Sequence, residues 1–383
     1  MSAFTVGVEE EYQLVEPATG ELRSLGRAVL QVDWSGEIRR EMQDSTIEIG
    51  TRVCSTSGDV GAELSRLRTQ ADAAAAAEDL RIVAAGLHPF SDWRGQAMSP
   101  GSRYRDMAEM YGRIARDEHN YGMHIHVAVD GDRMQLLNVL RMYIPHLVAL
   151  CCSSPFHEGE DTGYDSFRTV LWRRWPGAGP PPRLESDAAW RAHVDTLLHA
   201  GVLPDERSLY WMIRPHPEYP TVEFRMCDVC PRMEDAVAIA GLARAMVAAA
   251  AAGRLARITS GSAALDAMLA DDCWRTARYG LSARLMSAAP ENGGATVHDS
   301  IQRLLDAVQP IAAEIGEDGV AEGVESILRR GNAASRMRAV ARDAGGMRGL
   351  VEWLVAETML SAGLDRRREQ REQRRSRELQ ERT

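Results

Sequence analysis

Several short stretches of this chain carry acid, imidazole or guanidinium groups at every second position. In Gly7-Val8-Glu9-Glu10-Glu11-Tyr12, the side chains of Glu9 and Glu11 fall on one face of an extended strand, because strand side chains alternate. In Thr46-Ile47-Glu48-Ile49, Glu48 opposes two isoleucines. In Met123-His124-Ile125-His126-Val127, both histidines oppose large apolar groups, and in Val222-Glu223-Phe224-Arg225-Met226 the same holds for Glu223 and Arg225. Each stretch thus reads as a strand with one apolar face and one face that could do chemistry.

If these faces lie together in one sheet, Glu9, Glu11, Glu48 and Glu223 converge, and carboxylates so close cannot all stay ionised without compensation. Divalent cations supply it. Mg²⁺ takes oxygen ligands, usually one or two carboxylates plus substrate phosphates, and one neutral histidine completes a site more readily for Mn²⁺. A sheet face of acids holding metal against a triphosphate is an arrangement for phosphoryl transfer. Each stretch taken singly also has a plainer reading. Glu9-Glu10-Glu11 fits a solvated edge, since any half-exposed antiparallel strand alternates. His124 and His126 fit a polar strand face or two ligands of a zinc site, and Glu223 with Arg225 fits a cross-strand ion pair.

Other motifs carry less. Cys227-Asp228-Val229-Cys230 has no second Cys/His pair at zinc-finger spacing, and reads as ordinary small residues. No GxxxxGK[ST] sequence is present, so a nucleotide would not be held by a P-loop. Gly122 reads as a packing residue rather than part of a phosphate cradle.

The elements that must position these groups alternate over the first 130 residues: strands at 5–15, 45–53, 81–86 and 121–129, with helices at about 57–79 and 102–118. A helix follows at 133–152, kinked at Pro145. Residues 153–182, rich in Gly, Pro and Trp, read as a long surface loop of the kind that often serves as a lid. Strands return at 209–213 and 221–228, and the chain after Pro231 is helical to about Ala362. We expect one catalytic domain over 1–364 and a charged tail at 365–383, solvated and without a catalytic role.

Composition narrows the class. A formal net charge of −10 argues against a nucleic-acid binder, which would present a basic face. The most apolar stretch, 236–253, is interrupted by Arg244 and reads as a buried helix rather than a membrane span. The N-terminus lacks the pattern of a targeting peptide, and six sparse cysteines fit reduced thiols in cytoplasm. The expected partners are therefore small molecules, with a homo-oligomer left open.

Several motifs taken together resemble the glutamate–cysteine ligase type 2 family, the YbdK-like bacterial carboxylate–amine ligases. They are Gly7–Glu11 with Leu14-Val15 and Thr19-Gly20, then Tyr121–Val127, then Trp211-Met212-Ile213-Arg214-Pro215 leading into Thr221–Asp228. Order and spacing match over roughly residues 4 to 360. The resemblance implies an α+β, glutamine synthetase-like fold, with a curved antiparallel sheet, a concave face holding metals and ATP, and helices on the convex side. It implies an ATP- and Mg²⁺-dependent ligase, with Mn²⁺ as the alternative ion, that joins the γ-carboxyl of glutamate to cysteine or another amine through an acyl-phosphate. A nucleotide-binding regulatory protein or phosphotransferase with the same fold is the alternative. By position, Glu9, Glu11, Glu48, His124 and Glu223 look like metal ligands, and Arg225 and Arg214 like phosphate or carboxylate binders. His126 faces the same site, and Arg336 is a further candidate contact to nucleotide or substrate. The chain departs from the family pattern at Ala128, Pro231, Ala333 and Met337, which touches the substrate pockets rather than the metal site.

Overall fold

The structure, a computed structural model, describes residues 4–33, 35–255, 263–287, 294–343 and 345–360; the tail at 365–383 lies outside them. Its centre is an antiparallel sheet of β1 (Val6–Val15), β2 (Ile38–Arg40), β3 (Thr46–Gly50), β4 (Arg81–Val83), β5 (Gly122–Ala128), β6 (Ile213–Pro215) and β7 (Thr221–Asp228). The strands run in the order β2-β3-β1-β5-β7-β6, and β4 pairs with the last residues of β1, beyond the stretch that pairs with β5.

This sheet is open, with β2 and β6 at its ends, and it is not the curved sheet with a concave face that the family resemblance implied. Strong curvature is built from repeated bulges or glycine kinks. Among the described pairings a single register shift occurs, where Met123 and Ile125 of β5 meet Cys227 and Phe224 of β7.

One face of the sheet is apolar and covered by helices. Val6, Val8, Tyr12 and Leu14 of β1, Ile47 and Ile49 of β3, Ile125 and Val127 of β5, and Val222 and Phe224 of β7 are all buried there. Helix α1 (Ser57–Ala76) packs on β1 and β4, α2 (Ile144–Cys151) on β7, and α4 (Met233–Ala251) on β5 and α1. A capping box starts α1: the Thr56 hydroxyl accepts from the Asp59 N–H, and the Asp59 carboxylate accepts from the Thr56 N–H. Ala-rich α4 is buried on nearly every side, as its apolarity all round requires.

Two helices are shorter than their apolar patterns suggest. The one starting at Ser102 stops at Tyr111, because Gly112 adopts a φ of 59° and leaves the helical region. The run from Arg133 breaks into a 3₁₀ turn at Arg141–Tyr143 before Pro145 enters as an early residue of α2. Among the described residues this run, Arg133–Cys151, has the length and apolarity of a membrane span, but 78% of it is buried inside the protein, as in a core helix. The segment 153–182 is more than a surface loop. It folds a short helix, α3 (Phe167–Trp172), and buries Arg168, Trp172 and Trp175.

Candidate active site

The other face of the sheet lines a cleft of about 370 Å³. Strand register lays out its floor. Arg39 of β2 opposes Glu48 of β3, and Glu48 opposes Glu11 of β1. Glu9 of β1 opposes His124 of β5, His126 opposes Glu223 of β7, and Glu223 opposes Arg214 of β6. Alternation along each strand, with register fixed by the buried face, places all these groups on one surface.

Glu9, Glu48 and His124 come closest, with one ligand atom from each within 4.8 Å of the others. Glu9 Oε2 lies 3.5 Å from His124 Nδ1 and 3.4 Å from His126 Nε2, while Oε1 lies 3.4 Å from Arg39 Nη1. Burial pushes the Glu9 carboxyl up, but the two histidines outweigh it and hold Glu9 below the usual carboxylate range. Its neighbours shift the other way. Burial and then the charge of Glu41 push Glu11 up to about 8. Burial and then the charges of Glu9, Glu41 and Glu11 raise Glu48 well above its ordinary value. Glu41, directly after β2, is raised by burial. Burial and then the charge of Arg225 lower His124 to about 4, which leaves its ring neutral and able to ligate.

Acids that hinder one another's ionisation beside a neutral imidazole make a site short of positive charge. Oxygen donors with one nitrogen suit Mg²⁺ or Mn²⁺. The residues present therefore fit the divalent ion that the sequence suggested.

Glu11 and Glu223 stand apart from the tight trio. One Glu11 oxygen accepts the Gly122 N–H at 2.5 Å. Glu223 is held between two arginines: Arg214 Nε donates to Oε2 at 2.6 Å, and Arg225 Nη1 donates to Oε1. Burial pushes Glu223 up, but Arg225 and Arg214 together hold it well below the usual range. The two arginines differ in what they have left to give. Arg214 also donates to the carbonyls of Arg207 and Leu209 at 2.7 and 2.8 Å, so it is committed to protein groups. Arg225 donates to Glu223 alone among the described residues, and its side chain lines the cleft and is partly exposed there.

Arg336 is not brought here. Its guanidinium pairs with Asp235 at 2.8 Å and Glu357 at 2.9 Å among the helices, away from the residues that line the cleft. Conversely, sequence reasoning passed over Arg39, Glu41 and Arg168, all of which line the cleft. Arg168 leaves α3 beneath Gly122, where an added Cβ would sit 2.4 Å from its Nη2. Gly122 is thus a packing residue, as its sequence context suggested, but what it packs against is a cleft arginine. Arg168 Nη1 lies 3.8 Å from Asp228, which itself accepts from the hydroxyls of Ser154 and Ser166, and its buried Nε has no protein partner.

Known proteins resemble this chain in sequence and in fold. A protein of Herpetosiphon aurantiacus is 32% identical over 371 residues, covering 94% of this chain and 95% of its own. One of Thermobifida fusca is 36% identical over 366 residues, covering 92% and 90%. Both carry glutamate–cysteine ligase 2 as a provisional name. The crystal structure of the glutamate–cysteine ligase of Francisella tularensis in complex with AMP superposes with a TM-score of 0.69 at 15% identity, covering 97% of this chain and 94% of that one, which shows a shared glutamine-synthetase-like α+β fold. The sequence model of the glutamate-cysteine ligase family 2 matches residues 5–357, and this chain belongs to that family.

Proposed function

We propose that this protein is an ATP-dependent carboxylate–amine ligase of the glutamate–cysteine ligase type, its catalytic unit spanning 1–364. The observation that carries the reading is the meeting of Glu9, Glu48 and His124 in a cleft that Arg225 and Arg168 also line. Acids that call for a cation beside guanidinium groups that call for an anion match a metal–nucleotide substrate and a carboxylate donor.

In the first step a carboxylate oxygen of the donor, the γ-carboxylate of glutamate, attacks the γ-phosphorus of ATP, and the bond to the leaving ADP breaks. In the second the neutral amine of cysteine or another acceptor attacks the acyl carbon, inorganic phosphate leaves and takes up the proton that the nitrogen loses, and an amide remains. A divalent ion held by Glu9, Glu48 and His124, with Glu11 and Glu41 beside them, would offset charge on the phosphates. Arg225 binds the transferring phosphoryl group, and Arg214 fixes the Glu223 carboxylate that orients Arg225. His126, 3.4 Å from Glu9, holds that acid in position. Six free, buried thiols support a reducing, cytoplasmic setting.

Incubation with ATP, Mg²⁺, glutamate and a panel of amines is expected to give ADP, phosphate and a new γ-glutamyl amide in equal amounts, read by mass spectrometry. A phosphorylated product without amide would move the protein to the phosphotransferases.

The acid cluster also sets a pH dependence. A carboxyl raised in the folded state makes that state bind more protons than the unfolded chain, so its contribution to stability falls as pH rises from 4.5 through about 8. Ion binding must displace those protons. Thermal unfolding in Mg²⁺ and in chelator is therefore expected to show a stabilisation by Mg²⁺ that grows over this range. A shift that stays flat or shrinks with pH would contradict the ligand set.

A further inference from the structure

The turn between β6 and β7, His216-Pro217-Glu218-Tyr219-Pro220, presents an aromatic ring at the cleft that nothing in the ligand chemistry above uses. Tyr219 is 58% exposed. Of the exposed large apolar side chains among the described residues, it alone lines the cleft. A single exposed ring calls for no partner by itself, but one fixed in the wall of a charged cleft offers a flat face on which a ligand ring can stack.

The ring is also held in place. One face stacks on His216, with centroids 4.6 Å apart and planes at 17°. His216 Nδ1 accepts the backbone N–H groups of both Glu218 and Tyr219, at 3.1 and 3.0 Å. Arg133 Nη1 donates to the carbonyls of His216 and Tyr219 at 2.8 and 3.1 Å, and the two prolines restrict the backbone further. The turn thus pays its ordering entropy on folding, and little is left to lose when a ligand stacks on the outer face of the ring.

The position relative to the acids suggests which flat ligand this is. His216 meets His126 edge to face, with centroids 5.3 Å apart, and His126 Nε2 lies 3.4 Å from Glu9. A continuous run of rings leads from the cation-binding end to Tyr219, over a span that an extended nucleoside triphosphate can bridge. We infer that Tyr219, backed by His216, is the stacking platform for the purine base of the nucleotide, whose phosphates lie toward Glu9 and Glu48. This rests on the reading of the cleft as a nucleotide site and adds the place of the base.

Binding without turnover tests it. ADP and inorganic tripolyphosphate, which has no base, are titrated calorimetrically in Mg²⁺ into wild type, Tyr219→Ala and Tyr219→Phe. Tyr219→Ala is expected to bind ADP about tenfold more weakly, the scale of one base–aromatic stack, and to bind tripolyphosphate like wild type; Tyr219→Phe should bind both like wild type. Unchanged ADP affinity in Tyr219→Ala would overturn the inference, as would equal weakening of both ligands, since that would mean the ring only supports the site. No ADP binding by wild type would instead remove the nucleotide reading, and this inference with it.

Discussion

Replacing Glu9 by alanine is expected to lower ADP formation by about 10²–10³-fold, the usual cost of removing one electrostatic contact to a transition state, while thermal unfolding stays close to wild type. The two halves of that expectation have separate causes. Glu9 supplies one of the three atoms that meet within 4.8 Å, and it is the acid that two histidines keep ionised, so without it the cation end of the cleft loses its most dependable charge. For stability the terms oppose one another. The variant forfeits the contacts of Glu9 with His124, His126 and Arg39, but it also relieves the repulsion that Glu9 imposes on Glu48. Glu223→Ala should look different. It would leave Arg214, 3% exposed, as a buried cation without its anion, and would also take from Arg225, partly exposed in the cleft wall, its carboxylate partner, a loss on the scale of about 3–5 kcal/mol. Activity and melting temperature are then expected to fall together. Steady-state ADP release and thermal unfolding on both variants check the contrast. Unimpaired turnover by Glu9→Ala would sink the ligand assignment, and an unchanged melting temperature in Glu223→Ala would sink the account of the arginine pair.

What could be read from the sequence follows from which groups announce themselves locally. Alternation within one strand is a local signal, so it is enough by itself to put Glu9, Glu11, Glu48, His124, Glu223 and Arg225 on the face away from the core. Their meeting needed only that the strands share a sheet. Arg39 and Glu41 gave no such signal, because β2 is three residues long, Ile38-Arg39-Arg40, and two adjacent arginines hide the period. Arg168 sits in a stretch whose Gly, Pro and Trp content suggests a loop, and it reaches the cleft only because Gly122, far away in the chain, leaves room for it. Arg336 is the converse case, a residue singled out by its motif that does not line the cleft. Its motif is charged and distinctive, but its two acid partners come from Asp235 and Glu357, and a long-range ion pair leaves no trace in local pattern. Curvature of the sheet is likewise a sum of small twists and bulges, which a family resemblance suggests and strand periodicity does not encode.

The sharpest consequence of alternation falls on Glu10, between the two site acids. It points to the helical face and is fully buried, where an isolated carboxylate would be untenable. It survives there through Arg68 of α1, also fully buried, whose Nη2 and Nε donate to the two Glu10 oxygens at 2.6 and 2.9 Å; the Tyr12 hydroxyl donates to Oε2 as well. The remaining Arg68 donors reach the carbonyls of Cys230, Pro231 and Thr358, so one guanidinium ties β1 to the segment after β7 and to the helix at 347–360. Glu10→Ala is therefore expected to cost about 3–5 kcal/mol, because it strands a buried cation, and this is a large share of the roughly 5–15 kcal/mol that holds a domain together. Arg68→Met should cost as much or more, since it strands a carboxylate and three carbonyls. The double variant Glu10→Leu/Arg68→Met removes both charges and should recover part of the loss, yet remain below wild type because those carbonyls stay without donors. Urea unfolding followed by circular dichroism measures all three. Glu10→Ala as stable as Glu9→Ala would mean that neighbouring acids in one strand do not face opposite ways, and with that the division of the sheet into a structural face and a catalytic face would fail.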